Sequence, residues 1–247
     1  MAEVVLSKRL QALCSMVTPG MRVVDVGCDH GFVSISLVQR GISPGVLAMD
    51  VRKGPLSRAQ EHIEEYGYTE YIETRLSDGL QEYREGEADC LICAGMGGRL
   101  MMRILTESRE KAYQLQELIL QPQSELPVFR KFLRAEGYRL LDENILCEDG
   151  KYYFMMKVCY AGEPEKSQGI RHQVTEAAAI PERLADKYGG LLLQRRSPVL
   201  KQYIEDMLGN MRQLEGTLAQ NEKERARERL VQVQEEIADL ETALSLL

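Results

Sequence analysis

Acidic side chains and glycines alternate near the start of the chain, from Asp25 through Gly27 and Asp29 to Gly31. The β-branched run around Asp25 predicts a buried strand, and the apolar residues after Gly31 predict a helix. A strand, a tight turn and a helix in this order allow backbone N–H groups to close on an anionic or polar ligand. A second predicted strand ends at Asp50, whose carboxylate is placed to accept both hydroxyls of a ribose. This spacing predicts a site for a nucleoside-containing cofactor.

The charge of the turn separates two classes of nucleoside cofactor. A dinucleotide-binding turn requires the pattern G-x-G-x-x-G, whereas Asp29 stands at the second glycine position. A carboxylate there repels a pyrophosphate, but Asp25 and Asp29 attract the ammonium and sulfonium groups of S-adenosylmethionine. Asp78 and Gly79 follow a third predicted strand and are placed to hydrogen-bond an adenine amino group. The turn therefore favours S-adenosylmethionine over NAD or FAD.

Alternating strand and helix patterns position these turns. Apolar spacing predicts an N-terminal helix within residues 3–17 and later helices that end near residues 40, 66, 106 and 136. Strands are predicted at 23–26, 46–50, 71–76, 89–93, 117–120, 138–146 and 151–159. Strand–helix units predict a parallel sheet covered on both faces, and the closing hairpin adds one antiparallel strand. The polar turns all follow strands, so we expect them to converge at one edge of the sheet.

The pattern changes after residue 162. Residues 170–193 predict helical pieces interrupted by Pro181 and by Gly189-Gly190. Within 200–218 and again within 230–247, apolar residues recur every three or four positions, as in coiled-coil seams. We interpret the two seams as a hairpin of antiparallel helices, each roughly 30 Å long; one long helix pairing with another chain is the alternative. The predicted domains are 1–162 and 163–247.

The composition is that of an ordinary globular protein, with 44% hydrophobic and 28% charged residues among 247. No apolar run approaches the roughly 18 residues of a membrane span, and the first residues lack a signal-peptide profile. The six cysteines lack metal-ligand spacing, which predicts free thiols in the cytoplasm and no metal site. A net charge of −7 does not indicate nucleic-acid binding, although local groups of Arg and Lys can form a basic patch. We expect a monomer or weak dimer.

Five short segments carry a family resemblance: Leu6–Leu10, Asp25–Gly31, Ala94–Gly98, Leu118–Pro122 and Glu148–Tyr152. They resemble the bacterial TrmK-type tRNA (adenine(22)-N1)-methyltransferases, over about residues 5 to 160. The Asp-His pair together with Ala-Gly-Met-Gly-Gly is far more specific than a glycine turn. The family usually has Gln-Pro-Asn where this chain has Gln-Pro-Gln, which changes the reach of the last amide.

The resemblance implies a class I (Rossmann-like) methyltransferase domain with a seven-stranded, mostly parallel sheet, followed by an α-helical coiled-coil hairpin. It also implies S-adenosylmethionine as the cofactor and tRNA as the partner, methylated at N1 of adenine 22. The candidate cofactor-binding residues are Arg9, Asp25, Gly27, Cys28, Asp29, Asp50, Val51, Asp78, Gly79, Ala94, Gly95, Met96 and Gly97. The candidate substrate-binding residues are Gly98, Gln121, Pro122, Gln123, Tyr152, Arg195 and Arg196.

Asp29 and His30 are the candidate catalytic residues. Neutral adenine N1 already presents a lone pair, so no proton has to be removed before it attacks a methyl group. The enzyme has to align N1 with the methyl carbon and to stabilise positive charge on the ring. We expect Asp29 to accept a hydrogen bond from the adenine amino group and His30 to orient Asp29. A base within a tRNA stem has to leave its stack to reach such a site.

Two other functions fit the same sequence. One is a methyltransferase for a small molecule or a protein, in which the hairpin is a dimerisation arm. The other is a non-catalytic scaffold that senses the cofactor and binds a protein through the hairpin. Formation of 1-methyladenosine in tRNA distinguishes the first interpretation from both.

Overall fold

The structure is a computed structural model that describes residues 3–162, 180–220 and 223–247. The described residues form two compact units. The first contains residues 3–144 and 153–162, and the second contains Ile145–Tyr152 and the residues from 180 onward. The predicted domain boundary after residue 162 falls at an edge of the described ranges and stays a prediction.

The sheet has seven strands, which are β1 (Val23–Val26), β2 (Val46–Asp50), β3 (Ile72–Leu76), β4 (Cys90–Met96), β5 (Glu117–Pro122), β6 (Tyr138–Glu148) and β7 (Lys151–Tyr160). Their order in space is β3-β2-β1-β4-β5-β7-β6. The pairs among the first five strands are parallel, whereas β7 runs antiparallel to β5. The predicted seven-stranded, mostly parallel sheet is thus confirmed.

The strand order reverses at β1, which pairs with β2 on one side and with β4 on the other. In open sheets of this kind, ligands bind at the carboxyl ends of the strands beside such a reversal. Every residue of β1, β2 and β5 is buried, as expected for strands covered by helices on both faces. The middle of these strands is therefore inaccessible to a ligand, and we expect a binding site at the strand ends.

In the first unit the structure describes six helices, of which one precedes β1 and five lie between strands. They are α1 (Lys8–Ser15), α2 (Phe32–Gln39), α3 (Lys53–Glu65), α4 (Gly98–Glu107), α5 (Arg109–Gln114) and α6 (Leu126–Ala135). The first helix is shorter than predicted because Ser7 is its N-cap residue. The Ser7 hydroxyl accepts a hydrogen bond from the Leu10 N–H at 3.3 Å.

The fourth strand is longer than predicted and reaches Met96 instead of Cys93. It stays paired with β5 through an irregularity between Ala94 and Met96, and the Met96 carbonyl accepts the Gln123 N–H at 2.8 Å. The glycine-rich segment is therefore partly strand, and α4 starts at its last glycine.

In the second unit the structure describes the helices α7 (Glu182–Tyr188), α8 (Gly190–Gln194), α9 (Pro198–Ala219) and α10 (Glu224–Ser245). The last two helices have 22 residues each, or about 33 Å. Arg212 bonds to Glu241 at 2.8 Å and Gln234 to Glu215 at 3.1 Å, so the two helices run antiparallel. The predicted hairpin is present, while the helical pieces predicted over 170–179 lie outside the described residues. No helix in the described ranges is both long and apolar enough to cross a membrane.

Candidate active site

A cleft of about 610 Å³ opens in the first unit at the carboxyl ends of β1, β2 and β4 and at the turn after β3. Most of the residues predicted from the sequence to form a site line it. These residues are Arg9, Asp25, Gly27, Cys28, Asp29, His30, Asp50, Val51, Asp78, Gly79, Ala94, Gly95, Met96 and Gln123. The convergence of the polar turns, predicted from the strand pattern, is therefore present in the structure.

The glycine turn contributes differently from what its sequence suggested. The N–H groups of Gly27 and Cys28 both donate to the carbonyl of Met49, at 2.8 and 3.0 Å. They tie the turn to β2 and are not directed at a ligand. What Gly27 supplies is space, since a Cβ atom there would lie 2.2 Å from the terminal methyl of Met96. Its φ of +80° also favours glycine.

Asp25 is buried at the floor of the cleft, with an exposed fraction of 4%. Its carboxylate accepts the Ser34 hydroxyl at 2.7 Å, and in the described part of the chain it has no cationic partner. Burial raises the pKa of Asp25 to about 6, against the hydrogen bond from Ser34, and the nearby charge of Asp50 adds to the rise. A cationic ligand would favour the ionised form and remove this penalty.

Asp50 and Asp78 mark the ends of β2 and β3. Asp50 accepts the Arg52 N–H at 2.8 Å and lies 3.4 Å from the backbone nitrogen of Asp29, so it ties two turns together. Asp78 is held by Arg103 of α4 through two bonds, at 2.8 and 3.1 Å. This hydrogen-bonded guanidinium lowers the pKa of Asp78. An adenine amino group would therefore have to share Asp78 with Arg103.

Asp29 and His30 form the exposed corner of the cleft. Their side chains are 57% and 42% exposed, and His30 Nε2 lies 3.7 Å from the Asp29 carboxylate. Asp29 has a φ of +48°, a left-handed conformation that aspartate tolerates better than most residues. The two side chains are thus adjacent and accessible, as expected of groups that meet a substrate.

Gln121 does not line the cleft but lies behind it, with an exposed fraction of 1%. Its side-chain oxygen accepts from Arg9 Nη1 at 2.9 Å and from the Gly95 N–H at 3.2 Å. It therefore fixes a cation and a backbone segment that do line the cleft. Its contact with substrate stays a prediction, whereas Gln123, two residues later, lines the cleft.

Gly97, Gly98 and Pro122 also lie outside the cleft lining. A Cβ atom at Gly98 would lie 2.6 Å from the Ser124 carbonyl oxygen, and the Gly98 N–H donates to the Ser124 hydroxyl at 3.3 Å. Gly98 therefore allows α4 to start against the loop after β5. Pro122 is the buried last residue of β5.

Three predicted substrate residues belong to the second unit. The Tyr152 hydroxyl donates to Asp206 at 2.6 Å, which raises its pKa to about 12. Arg195 follows α8, and Arg196 after it has a φ of +50°. Their contact with tRNA stays a prediction.

Sequence reasoning did not assign Ser34, Arg103 or Tyr153 to the site, although each contacts a residue that lines the cleft. Ser34 bonds to Asp25 and Arg103 to Asp78, while the guanidinium carbon of Arg9 lies 5.4 Å from the centre of the Tyr153 ring. Neighbouring side chains of a strand point to opposite faces, so only one of Tyr152 and Tyr153 can face the site. For the other two, no motif marks the residue. Among the described residues, no group of three or more His, Cys, Asp or Glu side chains is arranged to hold a metal ion.

Comparison with known proteins agrees with this geometry. A family model described as "Methyltransferase domain" matches residues 6–156. The tRNA (adenine(22)-N(1))-methyltransferase of Bacillus subtilis (strain 168) is 37% identical over 163 residues, which are 66% of this chain and 68% of that protein. The chain belongs to the TrmK-type methyltransferase family.

Solved structures extend the TrmK likeness beyond the catalytic domain. The B. subtilis M1A22 tRNA methyltransferase TrmK has a TM-score of 0.79 at 28% identity, covering 98% of this chain and all of that one. Sp1610 of Streptococcus pneumoniae, solved in complex with S-adenosyl-L-methionine, has a TM-score of 0.79 at 30% identity and covers 97% of this chain. The likeness therefore extends beyond residues 6–156, which the family model matches.

Proposed function

We propose that this protein transfers a methyl group from S-adenosylmethionine to N1 of adenine 22 in tRNA. This is the activity of the TrmK-type family to which the chain belongs. The observation that carries the proposal is Asp25, a buried carboxylate without a cationic partner in the described chain, at the floor of a cleft beside the strand-order reversal. Such a group suits a ligand that carries positive charge and a nucleoside.

The cleft fits the cofactor in charge as well as in place. S-adenosylmethionine supplies a methyl group activated by a sulfonium. Asp25 and Asp29 would favour its positive charges, Asp50 would accept hydroxyls of its ribose, and Asp78 would accept from its adenine. Arg9, fixed by Gln121, would bind its carboxylate. The remaining backbone and apolar lining would enclose it, through Gly27, Cys28, Val51, Gly79, Ala94, Gly95 and Met96.

Asp29 and His30 would act on the target base. Attack by N1 places positive charge on the adenine ring, and a nearby carboxylate stabilises that charge more strongly in the transition state than in the ground state. We assign this role to Asp29, which also would accept from the adenine amino group. His30, 3.7 Å away, would fix the orientation of the carboxylate. Gln123 lines the cleft with a longer amide than the family's usual asparagine and would contact the base edge.

Nucleoside analysis tests the whole proposal. The protein is incubated with S-adenosylmethionine and two unmodified tRNA transcripts that differ only in having A or G at position 22. We expect 1-methyladenosine in the first transcript and none in the second. Methylation of the second transcript would contradict the assigned position, and binding of cofactor with no methyl transfer to either RNA would contradict the activity.

Two further proposals concern the surface that contacts tRNA and the cellular location. We propose that Tyr152, Arg195 and Arg196 contact tRNA, on the grounds of their residue types and of the family's substrate. A monomer or weak dimer and a cytoplasmic location stay predictions; the six free cysteines support the latter. Titration of tRNA into Arg195→Ala and Arg196→Ala variants tests the surface, since loss of a phosphate contact would reduce the salt dependence of binding.

A further inference from the structure

A histidine outside the cleft lining contacts the turn that carries Asp29. His62 lies on α3, and its Nδ1 is 2.9 Å from the backbone carbonyl oxygen of His30. A carbonyl oxygen only accepts hydrogen bonds, so Nδ1 carries the proton and donates it. The bond connects a side chain of one helix to the backbone of the candidate catalytic turn.

The turn itself is a conformation that needs support. The Gly31 N–H closes it onto the Cys28 carbonyl at 2.8 Å, and Asp29 within it has a φ of +48°. Non-glycine residues in this region cost free energy and persist where the surroundings hold them. The direction of the exposed Asp29 carboxylate therefore depends on what fixes the peptide groups on either side of it.

Helix α3 supplies that support from one face. A Cβ atom at Gly31 would lie 3.1 Å from the Cβ of Ala59, so the turn already touches the helix there. Ala59 and His62 are three residues apart and lie on the same side of α3. The absence of a side chain at Gly31 thus brings the His30 carbonyl within reach of His62.

Ring contacts fix the imidazole in turn. The ring of His62 lies 4.6 Å from that of Phe32 at an interplanar angle of 20°, and 5.7 Å from that of His30 at 30°. Phe32 is the first residue of α2, directly after the turn. His62 therefore holds both sides of the catalytic pair, through a hydrogen bond to the backbone and through its aromatic face.

We propose that His62 is a positioning residue for methyl transfer, which holds the Asp29–His30 turn in the geometry that meets the target adenine. This inference rests on the proposed function. It assigns His62 no contact with cofactor or substrate, since the residue has no surface in the cleft. Its effect should appear in the chemical step and not in cofactor affinity.

Three variants of His62 separate the effect of its hydrogen bond from that of its ring, and a fourth variant is the control. His62→Phe keeps an aromatic ring and removes the donor. His62→Asn places an amide N–H near the position of Nδ1, whereas His62→Gln places it near Nε2, where it does not reach the His30 carbonyl. Glu65→Gln, on the exposed surface of the same helix, is the matched control. For each variant, kcat and KM are measured for tRNA, with the Kd for S-adenosylmethionine by calorimetry and Tm.

We expect His62→Phe to lower kcat on the order of tenfold to a hundredfold, as a misplaced catalytic group does, with the cofactor Kd within about twofold of the wild-type value. His62→Asn should restore most of the kcat, and His62→Gln should not. An unchanged kcat in His62→Phe would overturn the proposal, as would parallel changes of kcat, Kd and Tm. If the Phe variant does not fold, equal kcat values in the Asn and Gln variants would overturn it.

The same series distinguishes failure of this inference from failure of the proposed function. If the wild-type protein and Glu65→Gln form no 1-methyladenosine, the function itself is wrong. If both form it and His62→Phe forms it at the same rate, only the role of His62 is wrong.

Discussion

Asp25 of the first unit and Asp239 of the second are both buried, but their surroundings are opposite. Asp25, under the cleft, is 4% exposed and accepts one hydroxyl, with no cation beside it among the described residues. Asp239, on α10, is 1% exposed and is paired with both Arg183, at 2.5 Å, and Lys187 of α7. Burying a carboxylate costs free energy unless a partner compensates the charge. The second unit supplies that partner from its own chain, whereas no such partner lies beside Asp25 among the described residues.

The difference indicates a structural role for Asp239 and supports the proposal that Asp25 binds a charged ligand. Asp239 connects two helices, and both of its carboxylate oxygens are paired with cations of α7. Asp25, Asp50 and Asp29 face one cavity and keep acceptor capacity for a charged nucleoside. Asp25 and Asp239 thus differ in whether a cation of the described chain lies beside the buried carboxylate.

The largest effect is expected at Asp29. Asp29→Ala should lower kcat for tRNA methylation about a hundredfold to a thousandfold, because removing a group that stabilises transition-state charge costs this much. Cofactor binding should remain measurable by calorimetry, since Asp25 and Asp50 are unchanged. Asp29→Asn is the control that keeps an acceptor oxygen without charge. Full activity in Asp29→Ala would remove this residue from the mechanism.

The pH dependence of stability should reveal the free-energy cost of ionising the buried Asp25 carboxylate. Its folded-state pKa of about 6 lies above the ordinary 3.8, so the folded protein holds this proton more tightly than the unfolded chain. The contribution of Asp25 to stability therefore falls as pH rises from about 4 to about 6, by up to about 3 kcal/mol.

Urea unfolding of the wild type and of Asp25→Asn, followed across this pH range without cofactor, isolates that contribution. The wild type should lose stability relative to the variant as pH rises. Saturating S-adenosylmethionine should reverse part of the loss in the wild type only. Parallel stability curves for the two proteins would show that ionisation of Asp25 does not destabilise the fold. The proposed difference between Asp25 and Asp239 would then be wrong.

Removing the paired carboxylate should destabilise the second unit. Asp239→Ala leaves Arg183 and Lys187 without their shared partner, which should cost about 2 to 3 kcal/mol, below the usual cost for a buried pair because both cations are partly exposed and can be solvated. Glu241→Ala on the same helix breaks only an exposed pair with Arg212, so it should cost less than about 1 kcal/mol. Equal losses of unfolding free energy in the two variants would contradict the structural role of Asp239.

The smallest effect is expected at Tyr152. Its hydroxyl bonds to Asp206, and Tyr152→Phe should cost about 1 kcal/mol of stability without changing the KM for tRNA, since the ring stays. If Tyr152 stacks on a base, Tyr152→Ala should raise that KM while Tyr152→Phe does not. Identical KM values in both variants would place Tyr152 with Asp239, among the structural residues.

Local patterns were sufficient for most of the fold. The ends of β1 and β2 were predicted to within a residue, from the apolar run around Asp25, the turn at Gly27 and the acidic end of β2. These signals act over only a few positions along the chain. The strand through Ala94–Met96 was misjudged, since glycines there normally mark a turn, whereas pairing with β5 extends the strand.

Side-chain partners were the part that local patterns left open. Gln121 looked like a substrate contact from its place in the motif, yet it lies behind the cleft and holds Arg9. Arg103 bonds to Asp78 over 25 positions in the sequence, and His62 to His30 over 32. No spacing rule predicts such pairs, because the helices that carry them are placed by packing on the sheet.

The amino-acid sequence alone determined the order of the strands, the acidic turn and hence the class of cofactor, since these depend on neighbours along the chain. Only the tertiary structure decided that Asp239 has cationic partners and that, among the described residues, Asp25 has none. Charge compensation depends on distance in space, and residues such as Asp239 and Arg183 meet only after their helices have packed.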